Sequence, residues 1–187
     1  MNHSLDYPLP RVTTRATLRR FAAADLANFQ SYRGDAELGQ YQGWSPMPEL
    51  EAEAFITEMQ SCALFMPGIW FQIAIASNIT NELLGDIGIC VASDQRTAEI
   101  GFTVKRQSQG SGVATDAVRE AISILFECTS VQRVLGITDT RNLSSIRLLE
   151  RVGMQKVLTN AAIFKGEPCM ESTFSVARQH GVKPIIS

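Results

Sequence analysis

Arg106-Gln-Ser-Gln-Gly-Ser-Gly-Val-Ala-Thr-Asp-Ala-Val118 sets two glycines, Gly110 and Gly112, one residue apart between an alternating apolar run and a helical pattern. Glycine in such a place marks a backbone geometry that side chains would obstruct. A strand that delivers the chain into a turn of exposed N–H groups, followed at once by a helix N-terminus, makes a cradle suited to phosphate. A tight strand-to-helix turn with no ligand fits the same residues.

Downstream, Val113 to Cys128 carries Ala114, Ala117, Val118, Ala121, Ile122 and Leu125 at helical spacing, with Thr115, Asp116, Arg119 and Glu120 on the wet side. Arg133 to Thr138 then reads as a buried strand. Asn142 to Val152 reads as a helix stopped by Gly153, and strands near Gln155 to Leu158 and Ser172 to Ala177 follow, with a turn at Lys165 to Pro168. Upstream, Ile69 to Ala76, Leu83 to Val91 and Thr97 to Val104 are strand-like runs joined by short polar links, which favours an antiparallel meander. Arg11 to Leu18 alternates as one half-buried strand. Asp25 and Asp35 are placed to cap short helices over Leu26 to Tyr32 and Ala36 to Tyr41. Beyond the link Gly43 to Pro48, Glu49 to Leu64 reads as an amphipathic helix with Leu50, Ala54, Phe55 and Met59 inward. The order predicts an α+β fold, a mixed central β-sheet flanked by helices, in one domain over 1–187 with its core over 11–177.

Composition limits what this domain does. A chain of 187 residues, 45% hydrophobic, is long enough for a full core, and a net charge of −2 without Lys/Arg clusters argues against nucleic-acid and anionic-membrane partners. No leader-like or membrane-spanning apolar run is seen, so a cytoplasmic protein is expected. The cysteines Cys62, Cys90, Cys128 and Cys169 are widely spaced and are expected to be reduced core residues. His3 and His180 lie near the ends, so histidine-based triads and zinc sites are not expected; the site should work without metal, through carboxylate, hydroxyl, water or substrate.

Three phosphate motifs compete for the glycines. A P-loop needs lysine after the last glycine, where Val113 stands. A Rossmann fingerprint fits Gly110 and Gly112, with Asp139 as a ribose-binding acid, but Thr115 takes the third glycine's place, and a dinucleotide oxidoreductase ranks second. The third is a resemblance. Gln107-x-x-Gly110-x-Gly112-Val-Ala-Thr-Asp-Ala117 resembles the acyl-CoA pyrophosphate loop of the GNAT superfamily of N-acyltransferases. Asn142-Leu-Ser-Ser-Ile-Arg-Leu-Leu-Glu-Arg-Val-Gly153 is similar to the second cofactor motif of its RimJ/RimL-like branch. Thr13 to Arg19 and Ala98 to Val104 fit the same branch, so the resemblance runs from about Arg11 to Ala177.

The resemblance implies an acetyl-CoA-dependent N-acetyltransferase acting on a primary amine, a protein N-terminus or a small molecule, by direct attack in a ternary complex. It implies that backbone groups of Phe102, Thr103 and Val104 hold the pantetheine arm, and that Gln109, Gly110, Ser111, Gly112, Val113, Ala114 and Thr115 cradle the pyrophosphate. Asn142 would bond the pantetheine or cap its helix, and Arg147 would reach a phosphate or stay on the wet face. Glu99 is the candidate base and Ser145 the candidate acid. Many relatives carry a tyrosine in the second motif, whereas no tyrosine follows Tyr41 here. Trp44 is read either as lining the acceptor cleft or as a packing anchor, and Glu49, Glu51 and Glu53 as attracting a cationic acceptor or as a solvated face. A catalytically silent acyl-CoA sensor and a homodimer both stay open.

Overall fold

The computed structural model describes residues 8–179, so His3 and His180 lie outside the described residues. Strands β1 (Arg11–Val12) and β2 (Thr17–Arg19) lead to helix α1 (Leu26–Arg33) and helix α2 (Glu49–Ser61). Then come β3 (Trp70–Ala76), β4 (Leu83–Val91), β5 (Thr97–Val104), α3 (Val113–Cys128), β6 (Arg133–Asp139), α4 (Leu143–Arg151), β7 (Gln155–Phe164) and β8 (Glu167–Ala177). One sheet of eight strands results, in the order β1-β2-β3-β4-β5-β6-β8-β7. The mixed α+β architecture matches the expectation, and β3 to β5 form the predicted antiparallel meander.

Among the strand pairs of the described residues only β5–β6 is parallel, and it is short. Thr97 to Ile100 pair with Arg133 to Gly136, after which β5 stays on β4 and β6 stays on β8. The sheet therefore opens into a wedge between Gly101–Val104 and Ile137–Asp139. Tyr32 of α1 reaches Asp86 on one face of the sheet, while Leu149 of α4 presses on Gly136 on the other, so closely that a Cβ at Gly136 would lie 2.6 Å from the leucine side chain. Helix α2 packs with α1, and α3 with α4. Phe29, Phe71, Ile73, Ile87, Ile89, Leu125, Leu149 and Phe174 are among the side chains closed off from solvent between these layers.

Several boundaries depart from the sequence reading. Arg11 to Leu18 is a hairpin and not one strand, because the Thr13 hydroxyl donates to the Ala16 carbonyl and accepts from the Ala16 N–H, closing a tight turn. Asp25 caps backwards: its carboxylate accepts from the Ala22 N–H and pairs with Arg19, and a 3-10 turn (Ala23–Asp25) precedes α1. Asp35 does cap, accepting from Glu37 and Leu38, but over a 3-10 turn at Leu38–Tyr41. Helix α2 buries Ala52, Ile56 and Met59 and stacks Phe55 on Phe29, while Leu50 and Ala54 lie in solvent, so Phe55 and Met59 of the predicted stripe face inward and the other two do not. Strands β7 and β8 are longer than predicted, joined by Lys165 and Gly166, both at positive φ as a tight hairpin tip requires. None of the four cysteines is in a disulfide; each is half-buried, and Cys62 and Cys128 pack against the core, so the expectation of core cysteines holds in part.

Candidate active site

The glycine turn is built as a donor array. Gly110 and Gly112 have φ of 72° and 85°, the left-handed region that side chains disfavour. The first helical bond of α3 runs from the Asp116 N–H to the Gly112 carbonyl. The N–H groups of Gly110, Ser111, Gly112, Val113, Ala114 and Thr115 thus have no acceptor among the described residues. Six consecutive free donors at a helix N-terminus fit a polyphosphate. The side chains serve the turn: Gln109 Nε2 donates to the Val104 carbonyl, and the Ser111 hydroxyl donates to the Ser108 carbonyl. Thr115, expected on the wet side, is buried and accepts from Arg151 Nη1, because α4 packs beside this end of α3.

Sequence reasoning missed a cation here. The Arg15 guanidinium lies over Gly112, where a Cβ would approach its Nε to 2.9 Å, and pairs with Asp116 at 2.9 Å. Nothing in the spacing of residues so far apart in the chain would have found it. Arg147 stands exposed on α4, with no contact that would fix it to the turn.

The wedge offers backbone. The Lys105 N–H donates to the Leu84 carbonyl and the Thr97 carbonyl accepts from Ala92, which turns the odd-numbered peptide groups of β5 toward β4. By alternation, Phe102 and Val104 face the opening, whereas Thr103 faces β4; of the three backbones expected to hold an arm, two point the right way. Of the two readings of Asn142, the helix cap is the one observed. Its Oδ1 caps α4 by accepting from the Ser145 N–H at 3.3 Å, while its Nδ2 has no protein partner among the described residues. Ser145 and Asn142 line a small cavity in the opening, of about 30 Å³.

A larger cavity of about 410 Å³ lies on the other face of the sheet. Glu99, Gly101 and Thr103 of β5 line it, with Trp44, Trp70, Gln72, Ile137, Phe164 and Glu171. The two cavities share Ile100, Gly101, Phe102, Ile137 and Thr138, so they meet through the wedge. Glu99 sits in the last stretch of parallel pairing, at the apex. Burial, and then the charge of Glu171, raises its pKa. Trp44 is both liner and anchor: its Nε1 donates to the Thr103 hydroxyl at 3.2 Å, and Arg33 stacks over its ring at 4.7 Å. Arg33 is in turn held by Asp86, which also accepts from Tyr32, an ion pair almost wholly shut off from water. Glu49, Glu51 and Glu53 lie outside the cavity on the exposed side of α2. Among the described residues no group of three or more His, Cys, Asp or Glu is placed to hold a metal ion, and no helix is long and apolar enough to cross a membrane.

The sheet is thus split along the strand that feeds the glycine turn, with a donor array at one end of the split and a cavity near its apex. Residues 15–155 match the acetyltransferase (GNAT) domain family, and the chain belongs to it. It is 28% identical over 170 residues to the uncharacterized N-acetyltransferase YoaA of Bacillus subtilis, covering 89% of this chain and 95% of that protein. A GNAT-family acetyltransferase from Bacillus anthracis superposes with a TM-score of 0.79 at 18% identity, covering 90% of this chain and 98% of the other. A RimL ribosomal-protein alpha-N-acetyltransferase, solved in complex with coenzyme A, gives 0.74 at 16% identity, covering 89% and 96%. The protein is a GNAT N-acetyltransferase. The dinucleotide reading falls with the sheet: three antiparallel strands precede the glycine turn, and Asp139 is held by Arg141.

Proposed function

We propose that the enzyme acetylates a primary amine by direct attack in a ternary complex, with Glu99 as the general base and the amine entering from the larger cavity. One observation carries this reading: Glu99 is a half-buried carboxylate with raised pKa that lines the larger cavity, next in the chain to Ile100, where the two cavities meet. A base must take the ammonium proton before the nitrogen lone pair can attack, and a raised pKa suits that task near neutral pH. The bound cosubstrate supplies an acetyl thioester. The free N–H groups of Gly110 to Thr115 hold its pyrophosphate, Phe102 and Val104 offer backbone partners to its arm, and Arg15 and Arg147 add positive charge. Ser145, on the smaller cavity, donates a proton or holds a water on the departing side. Direct transfer is supported by the thiols: no cysteine lines either cavity, and burial raises the pKa of Cys90, beside Glu99 in register. A cytoplasmic setting fits free acetyl-CoA.

Thermal-shift measurements with acetyl-CoA, CoA, NAD and NADP test the cosubstrate, because a ligand binding only the folded state raises Tm. Stabilisation by acetyl-CoA and CoA is expected; stabilisation by nicotinamide nucleotides alone overturns the reading. A stoichiometric acetyl-cysteine adduct after incubation with acetyl-CoA would rule out direct transfer.

A further inference from the structure

The charges lining the larger cavity do not cancel. Asp86 is matched by Arg33, and Asp139 by Arg141. Glu99 and Glu171 line the same cavity, and neither carboxylate has a hydrogen-bond or ion-pair partner among the described residues. They lie on one face of the sheet, on β5 and β8, with β6 between them. On that face β6 presents Ile137, an apolar side chain 40% exposed in the cavity floor. The pattern is carboxylate, apolar floor, carboxylate.

Glu99 has a use for its charge, since it accepts the proton of the reacting amine. That amine must be neutral when it attacks, so it cannot remain the counter-charge of a second carboxylate. A half-buried carboxylate left without a partner is costly, which favours an occupant that carries the missing charge. We infer that Glu171 is a specificity residue holding a second, non-reacting cationic group, so that the acceptor is an amine with another positive charge separated from it by a short apolar spacer that crosses Ile137. The inference rests on the transferase reading for the role of Glu99.

The test is titration of the CoA-bound enzyme, by calorimetry, with α,ω-diaminoalkanes of increasing length and with the matching 1-aminoalkanes, for wild type and Glu171→Gln. Wild type is expected to bind one diamine length at least tenfold more tightly than its monoamine, and Glu171→Gln to lose most of that difference. Equal affinity of the two series for wild type, or an undiminished preference in Glu171→Gln, overturns the proposal. CoA binding by the variant confirms that it is folded. Acetylated product, followed separately by mass spectrometry with acetyl-CoA, distinguishes the readings. Binding preference without product overturns the transferase reading alone, and product without preference overturns the role of Glu171 alone.

Discussion

Lys165 is tied to Trp44, a residue of the larger cavity's lining: the Lys165 ammonium donates to the Trp44 carbonyl at 2.9 Å and to the Gly39 carbonyl at the same distance. The β7–β8 hairpin tip therefore holds the loop that places Trp44 over Thr103. Lys165→Met removes both charge-assisted bonds, which are stronger than neutral ones. The expected result is a several-fold rise in acceptor KM with unchanged affinity for CoA. Steady-state kinetics beside calorimetric CoA titration checks it, and an equal loss of CoA affinity would speak against a local effect on the loop.

Glu99→Gln keeps the shape of the residue and removes the base. Loss of general-base catalysis typically lowers turnover by about 10²- to 10⁴-fold. In wild type, kcat/KM rises with pH as Glu99 loses its proton, at a midpoint above the ordinary carboxylate range, since burial and then Glu171 raise that pKa. Glu171→Gln removes the second cause, so the midpoint is expected to move down. A pH–rate profile unchanged in Glu171→Gln would separate the two carboxylates electrostatically.

The same raised pKa has a stability consequence of opposite sign to catalysis. In the window between the unfolded and folded pKa values the native state binds more protons than the unfolded chain, so stability falls as pH rises through it. Glu99→Gln is expected to melt at or above the wild-type Tm at neutral pH, with the difference vanishing below the ordinary carboxylate pKa. Melting curves from acid to neutral pH measure this directly.

Gly112→Ala meets both a left-handed backbone and the Arg15 guanidinium, which its Cβ would approach to 2.9 Å. Holding alanine in that conformation costs about 1–2 kcal/mol. Gly110→Ala meets the backbone penalty alone, since nothing lies within 4 Å of its Cβ position. Both variants are expected to lose CoA affinity, Gly112→Ala the more severely, as read by CoA titration.

Asp86→Asn would leave Arg33 charged and buried without its partner. Breaking a buried pair from one side costs about 3–5 kcal/mol. A large drop in Tm is expected, together with a rise in acceptor KM, because Arg33 supports the Trp44 ring. Comparison with Glu49→Gln, on the solvated side of α2, gives the scale of an unimportant carboxylate.

What the sequence made legible follows from how local each signal is. Helix α3 starts and ends where its periodicity says, because Gly112 supplies a left-handed N-cap and its apolar stripe is continuous. The glycine turn, Asn142 as a cap and Glu99 on an alternating strand were readable for the same reason. The hairpin at Thr13 was not, since its turn bonds to Ala16, two through the hydroxyl and one through the backbone, outweigh eight residues of alternation. Most of β7 is exposed, so no burial period marked it. Arg15, Arg33 with Asp86, Lys165 and Glu171 reach the site only through tertiary packing, and no spacing along the chain brings them together.

The short β5–β6 seam gives the protein an unfinished ladder. Four residues on each strand pair, and the rungs beyond Ile100 and Gly136 are missing. The two portions of the sheet are therefore stitched at one end and free at the other, like a partly closed zip. An extended partner lying between Phe102 and Ile137 would complete the stitching and slow amide exchange along both margins at once. Occupancy of the seam thereby becomes a property of the whole sheet, readable from protons far from any reacting atom.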